Sequence, residues 1–364
     1  MNYQNDRESN EYSVARRSFT VIGFACAGVL ALNYGLNAAV IGICGRLSGK
    51  GIIPEGLFAE GSLSRLLLVT LTGFGIALPL AAFAVKKLLP APASDGGSGL
   101  TSAPYELFCV VFTLAFIGSN TGGFFDSLIK TSSDSGSSSG MPAGAAGTAV
   151  YFAVIVIIVP LAEEFFFRKV LIDALSPWGD AAAIFFSALF GALYHGNITS
   201  IFTAFFEGLA LGYIYAKNRK LIYPVAVRAA VNLIAGFIPS VVLAYVADID
   251  EVNEISLRFA ELTSRLPGSA AELKAFLPEL SSAMPGILAV SAVNAVTGGI
   301  AFAGFFLLVS GLRRIRLDPG TMRLKRKEIG STVFLSPGVL AFILLSILIT
   351  VLSYSSFGSP GTGG

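Results

Sequence analysis

The stretch AVYFAVIVIIVPLAEEFFFRKVLIDAL, residues 149–175, holds both halves of the problem this chain poses. Its length and apolar first half read as a membrane-spanning helix, which needs about 20 mostly apolar residues to cross a hydrocarbon core of ~30 Å. Yet it carries Glu163, Glu164 and Arg168. Ionisable side chains are expensive inside a bilayer, and where they occur they mark function.

Working outward, similar apolar stretches lie near 18–44, 65–85, 105–125, 180–196, 198–216, 221–246, 286–312 and 332–353. With 149–175 they make nine expected spans. The composition agrees. Of 364 residues, 54% are hydrophobic and 13% charged, against about 25% charged in a soluble domain. The chain therefore reads as an all-α polytopic membrane protein with about nine transmembrane helices. The stretches 180–196 and 198–216 are short and separated by Gly196-Asn197, so they read either as two spans or as one interrupted element.

The first stretch follows a polar tail with Arg7, Arg16 and Arg17, but also Asp6, Glu8 and Glu11. It is too long for a signal-peptide core, and no small-residue cleavage site stands out, so it reads as a retained helix. Basic residues set the orientation. With the N-terminus in the cytoplasm, Lys86-Lys87, Arg168-Lys169, Lys217, Arg219, Lys220 and the run from Arg313 to Lys327 all fall near the inner side. Arg46, Lys50 and Arg65 are the exceptions. The C-terminus then lies outside. The Arg313–Lys327 run reads as an anchor on anionic lipid, not as a nucleic-acid patch.

Four regions follow. Residues 1–144 hold the tail and three spans, ending in the Ser/Gly-rich linker SSDSGSSSG at 132–140, flexible by composition. Residues 145–246 form a polar-cored helical unit. Residues 247–285 read as one or two amphipathic helices on the outer surface: Ile255, Phe259, Leu262, Leu273, Phe276 and Leu277 recur at helical spacing, with a break at Pro267-Gly268. Residues 286–364 hold two more spans around the basic loop. Pro224, Pro239 and Pro337 are expected at kinks or helix starts. Cys26, Cys44 and Cys109 lack metal spacing and read as small hydrophobes.

The chemistry concentrates in the second region. Beyond Glu163, Glu164 and Arg168, the chain's single histidine, His195, ends the fifth stretch; Glu207 lies in the sixth, and Arg228 with Asn232 in the seventh. Glu164 and Arg168 are spaced i,i+4 with the acid first, the favourable order for a structural ion pair. Glu207 reads as a partner that neutralises Arg228 across helices. At ~1.5 Å rise per residue, Glu163, His195 and Asn232 lie roughly 16–21 Å from the cytoplasmic face and Arg228 roughly 10 Å. A turn at Gly196-Asn197 beside a mid-membrane His195 requires cover from protein or a water-filled cavity, and a hydrated cavity is expected there.

These residues resemble the CPBP intramembrane proteases, the CAAX prenyl endopeptidases and bacteriocin-processing enzymes also called the Abi family. Glu163-Glu164-x-x-x-Arg168 matches that family's first motif. FFSALFGALYHGNI, 185–198, resembles the second, a Phe-containing helix leading into a His. EGLALGYIYAKNRKLIYPVAVRAAVNLIAG, 207–236, follows the third. Two departures stand out. Gly191 occupies the place of the Phe four residues before the His, with Phe190 one further back. Arg228 replaces the His of the third motif's His-x-x-x-Asn, leaving Arg228-Ala-Ala-Val-Asn232.

The resemblance implies that Glu163 and His195 activate water and that Asn232 stabilises the oxyanion. It also implies a membrane-embedded or membrane-proximal peptide substrate and a bacterial cytoplasmic membrane. Arg228 has two readings. It can donate hydrogen bonds to an oxyanion, or it can ion-pair with Glu163 and occupy the base. The first keeps a protease; the second gives an inactive relative serving as a scaffold, binding or immunity-type protein. A transporter has less support, since no internal repeat is visible. One His, with Arg228 repelling a cation, is a poor zinc set, so no cofactor and no tightly bound catalytic zinc are expected.

Overall fold

The computed structural model describes residues 2–59, 61–89, 99, 102–129, 141–247, 249–266, 269–322 and 329–355. The linker 132–140, Pro267-Gly268, Arg323, Lys325, Arg326, Lys327 and the tail beyond Ser355 lie outside the described residues, as do the side chains of Asp6, Arg7 and Glu8.

The described chain is helical, with no strand among the described residues. Its principal helices are α1 (Asn2–Ser48), α2 (Leu63–Leu88), α3 (Pro104–Ile129), α4 (Gly144–Trp178), α5 (Asp180–Leu193), α6 (Ile198–Asn218), α7 (Ile222–Tyr245), α8 (Ile249–Ser264), α9 (Ala270–Gly311) and α10 (Pro337–Ser355). Eight of them are long and apolar enough to cross a membrane. Large apolar side chains such as Phe83, Leu128, Ile157, Phe302 and Leu344 stand exposed along them, as a lipid-facing surface requires.

The structure shortens one of the nine expected spans. Residues 180–196 yield α5, 14 residues long, about 21 Å at helical rise. It starts after Gly179, at φ 90°, and stops where Tyr194 and His195 turn. The stretches 180–196 and 198–216 are two helices packed antiparallel. Lys217 at the end of α6 meets Asp180 at the start of α5, and Gly208 and Gly212 lie against Ala188 and Ile184.

A second correction concerns 247–285. α8 is the expected amphipathic helix, but the next one runs without a break into the following span as the 42-residue α9, carrying Pro278 and Pro285 inside it. Ile255, Leu262, Phe276 and Ala283 form the buried seam between α8 and α9, with Leu273 at its edge. Phe259 and Leu277 are exposed instead.

Prolines shape the helices that carry the site. Wide π-helical segments Leu71–Ala77, Ala153–Ile158 and Asn232–Phe237 end two residues before Pro79, Pro160 and Pro239. Proline lacks an N–H and its ring clashes with the carbonyl four residues back; a wider turn makes room. Pro337 opens α10 and Pro224 sits in the first turn of α7. Another wide segment, Glu164–Ile172, begins at the glutamate pair.

Small residues let backbones meet. A Cβ on Gly118 of α3 would stand 2.6 Å from the Phe202 carbonyl of α6, and one on Gly122 would stand 2.6 Å from the Thr199 backbone. Thr113 of α3 donates to the Ala301 carbonyl of α9 at 2.9 Å. α1 and α10 cross with Gly23 against Gly338.

The two ends of the bundle differ. At one, Lys217 bridges Asp180 and Asp318, both at 2.8 Å. The segment around Asp318 is held to the turn before α5 by Asp180 N–H to the Asp318 carbonyl, 3.0 Å, and Met322 N–H to the Pro177 carbonyl, 2.9 Å. At the other end, the Tyr354 hydroxyl of α10 bonds Asp126 of α3 and accepts from Ile198 N–H at the start of α6.

Candidate active site

Three helices deliver five of the expected polar residues to one place. α4 supplies Glu163, Glu164 and Arg168, α6 supplies Glu207, and α7 supplies Arg228. All five are buried, none more than 6% exposed. Arg228 lies at their centre. Its Nη2 is 2.5 Å from Glu163 Oε2, and its Nη1 is 3.2 Å from Glu164 Oε1 and 4.0 Å from Glu207 Oε2. Arg168 Nε pairs with Glu164 Oε2 at 3.0 Å.

Ion pairing thus holds for Glu164–Arg168 at the expected spacing. Glu207 reaches Arg228 only loosely, and its Oε1 is buried without a hydrogen bond. Counted as ions, three carboxylates face two guanidiniums. The formal count thus has one carboxylate in excess, and Arg228 is shared among three acids rather than held by Glu163 alone. By helical rise alone Arg228 lies shallower than Glu163; its long side chain closes that gap, because a buried guanidinium must find carboxylate partners.

The wide helical turns explain two further contacts. They free backbone carbonyls, which the membrane interior requires to be satisfied. Ser187 of α5 donates to the Phe167 carbonyl at 2.6 Å and accepts from Arg168 Nη1 at 3.0 Å. Asn232 of α7 donates from Nδ2 to the Ile155 carbonyl at 2.9 Å. One Asn232 amide hydrogen is thereby engaged, and an amide has a second.

His195 follows α5, half-buried. Its ring makes no hydrogen bond among the described residues, and the charges of Glu163, Arg228 and Arg168 all reach it. The turn around it is sealed by polar side chains from α1 and α10. Tyr34 donates to the His195 carbonyl at 3.5 Å, Ser353 to the Gly196 carbonyl at 3.2 Å and Ser346 to the Leu193 carbonyl at 2.7 Å. Asn197 caps α6 by accepting from Ser200 N–H at 2.8 Å. Protein contacts, rather than water alone, satisfy this turn.

Sequence reasoning passed over the first two spans, where the structure places a polar network beside the histidine. Asn37 donates to the Asn33 carbonyl at 2.7 Å and to Thr72 at 3.0 Å; Thr72 donates to Asn33 Oδ1 at 3.1 Å; Asn33 donates to the Tyr194 hydroxyl at 3.4 Å. The available signal was Asn33-x-x-x-Asn37, two amides on one face of an apolar helix.

Among the described residues no three His, Cys, Asp or Glu side chains converge as ligands, and the Arg228 guanidinium already fills the space between the carboxylates.

Residues 145–234 match the family model described as type II CAAX prenyl endopeptidase Rce1-like. The match covers α4 to α7 up to the start of their last wide turn, including Glu163, Glu164, Arg168, His195, Glu207, Arg228 and Asn232. No curated protein and no solved structure matches the chain. Over the helices that build the buried acid–guanidinium cluster, residues 145–234 are thus similar to the type II CAAX prenyl endopeptidase Rce1-like family.

Proposed function

We propose that the chain is an intramembrane endopeptidase that hydrolyses a peptide bond in a membrane-embedded or membrane-proximal substrate. One observation carries this reading: Glu163 is buried in a polar cluster whose charges reach a half-buried His195 with unoccupied ring nitrogens. In the proposed reaction Glu163, assisted by His195, takes a proton from water, and the water oxygen attacks the scissile carbonyl carbon. The electron pair displaced onto the carbonyl oxygen is met by hydrogen-bond donors, with the free Asn232 amide hydrogen and Arg228 as candidates. Collapse of the tetrahedral intermediate breaks the C–N bond, and the proton held by Glu163 passes to the leaving amine. Glu164, Arg168 and Glu207 hold Arg228 and the helix in place. The reaction as written needs no metal or cofactor.

The chain is proposed to sit in a bacterial cytoplasmic membrane with its N-terminus inside, its C-terminus outside and its basic loop on anionic lipid. It has no role on nucleic acid in this reading.

The Arg228–Glu163 contact of 2.5 Å favours a second reading: a non-catalytic relative, acting as a scaffold, binding or immunity-type protein, in which the guanidinium occupies the base. The test compares wild type, Glu163→Ala and Arg228→His as full chains in liposomes. The probes are a prenylated tail peptide, a leader peptide and a transmembrane peptide. Wild-type cleavage abolished by Glu163→Ala supports the protease. Cleavage by Arg228→His alone, or by neither, overturns it in favour of the scaffold.

A further inference from the structure

The buried phenol of Tyr194 has a role that the three sequence motifs leave unassigned. Its side chain is 7% exposed, in the turn that immediately precedes His195. Its oxygen accepts a hydrogen bond from Asn33 Nδ2 at 3.4 Å. Among the described residues, its own hydroxyl proton finds no acceptor.

A buried O–H that donates to nothing is destabilising, so this donor is available to a group that arrives beside it. The surroundings hold it in place. Gly73, in the wide turn of α2, lies directly beneath: a Cβ there would stand 3.2 Å from both the Tyr194 hydroxyl and Asn33 Nδ2. Asn33 is itself fixed by Asn37 and by Thr72. The phenol lies within electrostatic reach of Glu163, and its ring packs against Phe167, one turn beyond that glutamate on α4, with centroids 5.9 Å apart.

We propose that the Tyr194 hydroxyl donates a hydrogen bond to the oxyanion formed at the scissile carbonyl, with Asn33 as the residue that positions it. This rests on the endopeptidase reading above. It also accounts for how such a site operates with arginine at 228. Both Arg228 Nη atoms are directed at carboxylates, so a second donor not tied to an acid complements the Asn232 amide hydrogen. A neutral phenol supplies an O–H without adding charge to a cluster that already has two cations. No covalent bond to Tyr194 forms; it gains a hydrogen bond in the transition state and releases it on collapse. The helices that place this donor, α1 and α2, lie outside the segment that matches the family model, so part of the site is built by the rest of the chain.

The test uses the full chain in liposomes with whichever probe peptide the wild type cleaves. Tyr194→Phe is expected to lower kcat by roughly 100-fold or more with KM little changed, as loss of one oxyanion donor does. Asn33→Ala is expected to give a smaller loss of the same kind. Replacing Tyr194 with 3,5-difluorotyrosine keeps the shape and the fold while making the hydroxyl more acidic. It is expected to shift the alkaline limb of the kcat profile to lower pH, which a merely structural phenol would not do. Tyr194→Phe within twofold of wild-type kcat, or an alkaline limb unmoved by fluorination, overturns the proposal while Glu163→Ala remains dead and the endopeptidase reading stands. Wild-type turnover that survives Glu163→Ala, or no turnover at all, overturns both.

Discussion

Replacing Arg228 with methionine removes the charge at the centre of the cluster while keeping most of the side-chain volume. The guanidinium lies 2.5, 3.2 and 4.0 Å from carboxylates of Glu163, Glu164 and Glu207. A unit pair 4 Å apart is worth about 4 kcal/mol at an effective dielectric of ~20. Breaking a buried pair by removing one partner costs about 3–5 kcal/mol, because the remaining charge stays buried. Arg228→Met leaves three carboxylates against Arg168 alone, so a loss of about 3–5 kcal/mol is expected. Glu207→Gln should separate charge from packing. Glu207 is the acid held most loosely, and its Oε1 is buried without a hydrogen bond. Alone, Glu207→Gln should be close to neutral. Combined with Arg228→Met it should return about 0.5–3 kcal/mol, the range for coupled neighbours. Unfolding free energy in mixed micelles, followed by the fluorescence of the single tryptophan, Trp178, completes the double-mutant cycle. An Arg228→Met loss under about 1 kcal/mol, well below the buried-pair range, refutes the central role of the charge. Strict additivity with Glu207→Gln refutes the surplus-charge account.

Three further outcomes are expected. Ser187→Ala strands the Phe167 carbonyl and one Arg168 nitrogen, and should cost about 1–3 kcal/mol in the same unfolding assay. Gly122→Leu drives a side chain into the Thr199 backbone, since even a Cβ would stand 2.6 Å away. α3 and α6 should separate, seen as loss of a monodisperse peak in detergent. The hydrogen bond from Lys217 holds the Asp318 carboxyl below its ordinary range. A lowered carboxyl stabilises the fold above its unfolded value and loses that contribution as pH falls through its folded value, below roughly pH 4. The effect on stability should be slight, because Asp318 is 70% exposed. Amide exchange around residues 315–322 should nevertheless accelerate as pH falls through that window, after correction for intrinsic rates, and Asp318→Asn should abolish the acceleration.

Much of the bundle was legible from local features. Apolar length marks a span regardless of its neighbours, so eight of the nine expected stretches form helices long and apolar enough to cross a membrane. Residues 180–196 misled because apolar content continues through Tyr194 while the backbone turns there. α9 misled in the opposite direction: an amphipathic region ending at 285 and a span starting at 286 were expected, yet one helix runs through that boundary. Phe259 and Leu277 fit a helical stripe but lie off the seam that Ile255, Leu262 and Phe276 bury.

The residues of the candidate site were visible as well, because ionisable groups in apolar spans are conspicuous wherever they fall. Sequence alone determined that this is a helical membrane protein with acids, guanidiniums and one histidine in its core. It left open which of two partners Arg228 takes, and it was silent on Asn33, Thr72 and Tyr194. Only the tertiary structure decided that Arg228 is shared among Glu163, Glu164 and Glu207, and that the Asn33 amide on α1 reaches the turn before His195. Hydrophobicity and helical period are properties of one segment. Ion pairs and hydrogen bonds depend on distances between segments, which exist only once the helices have packed.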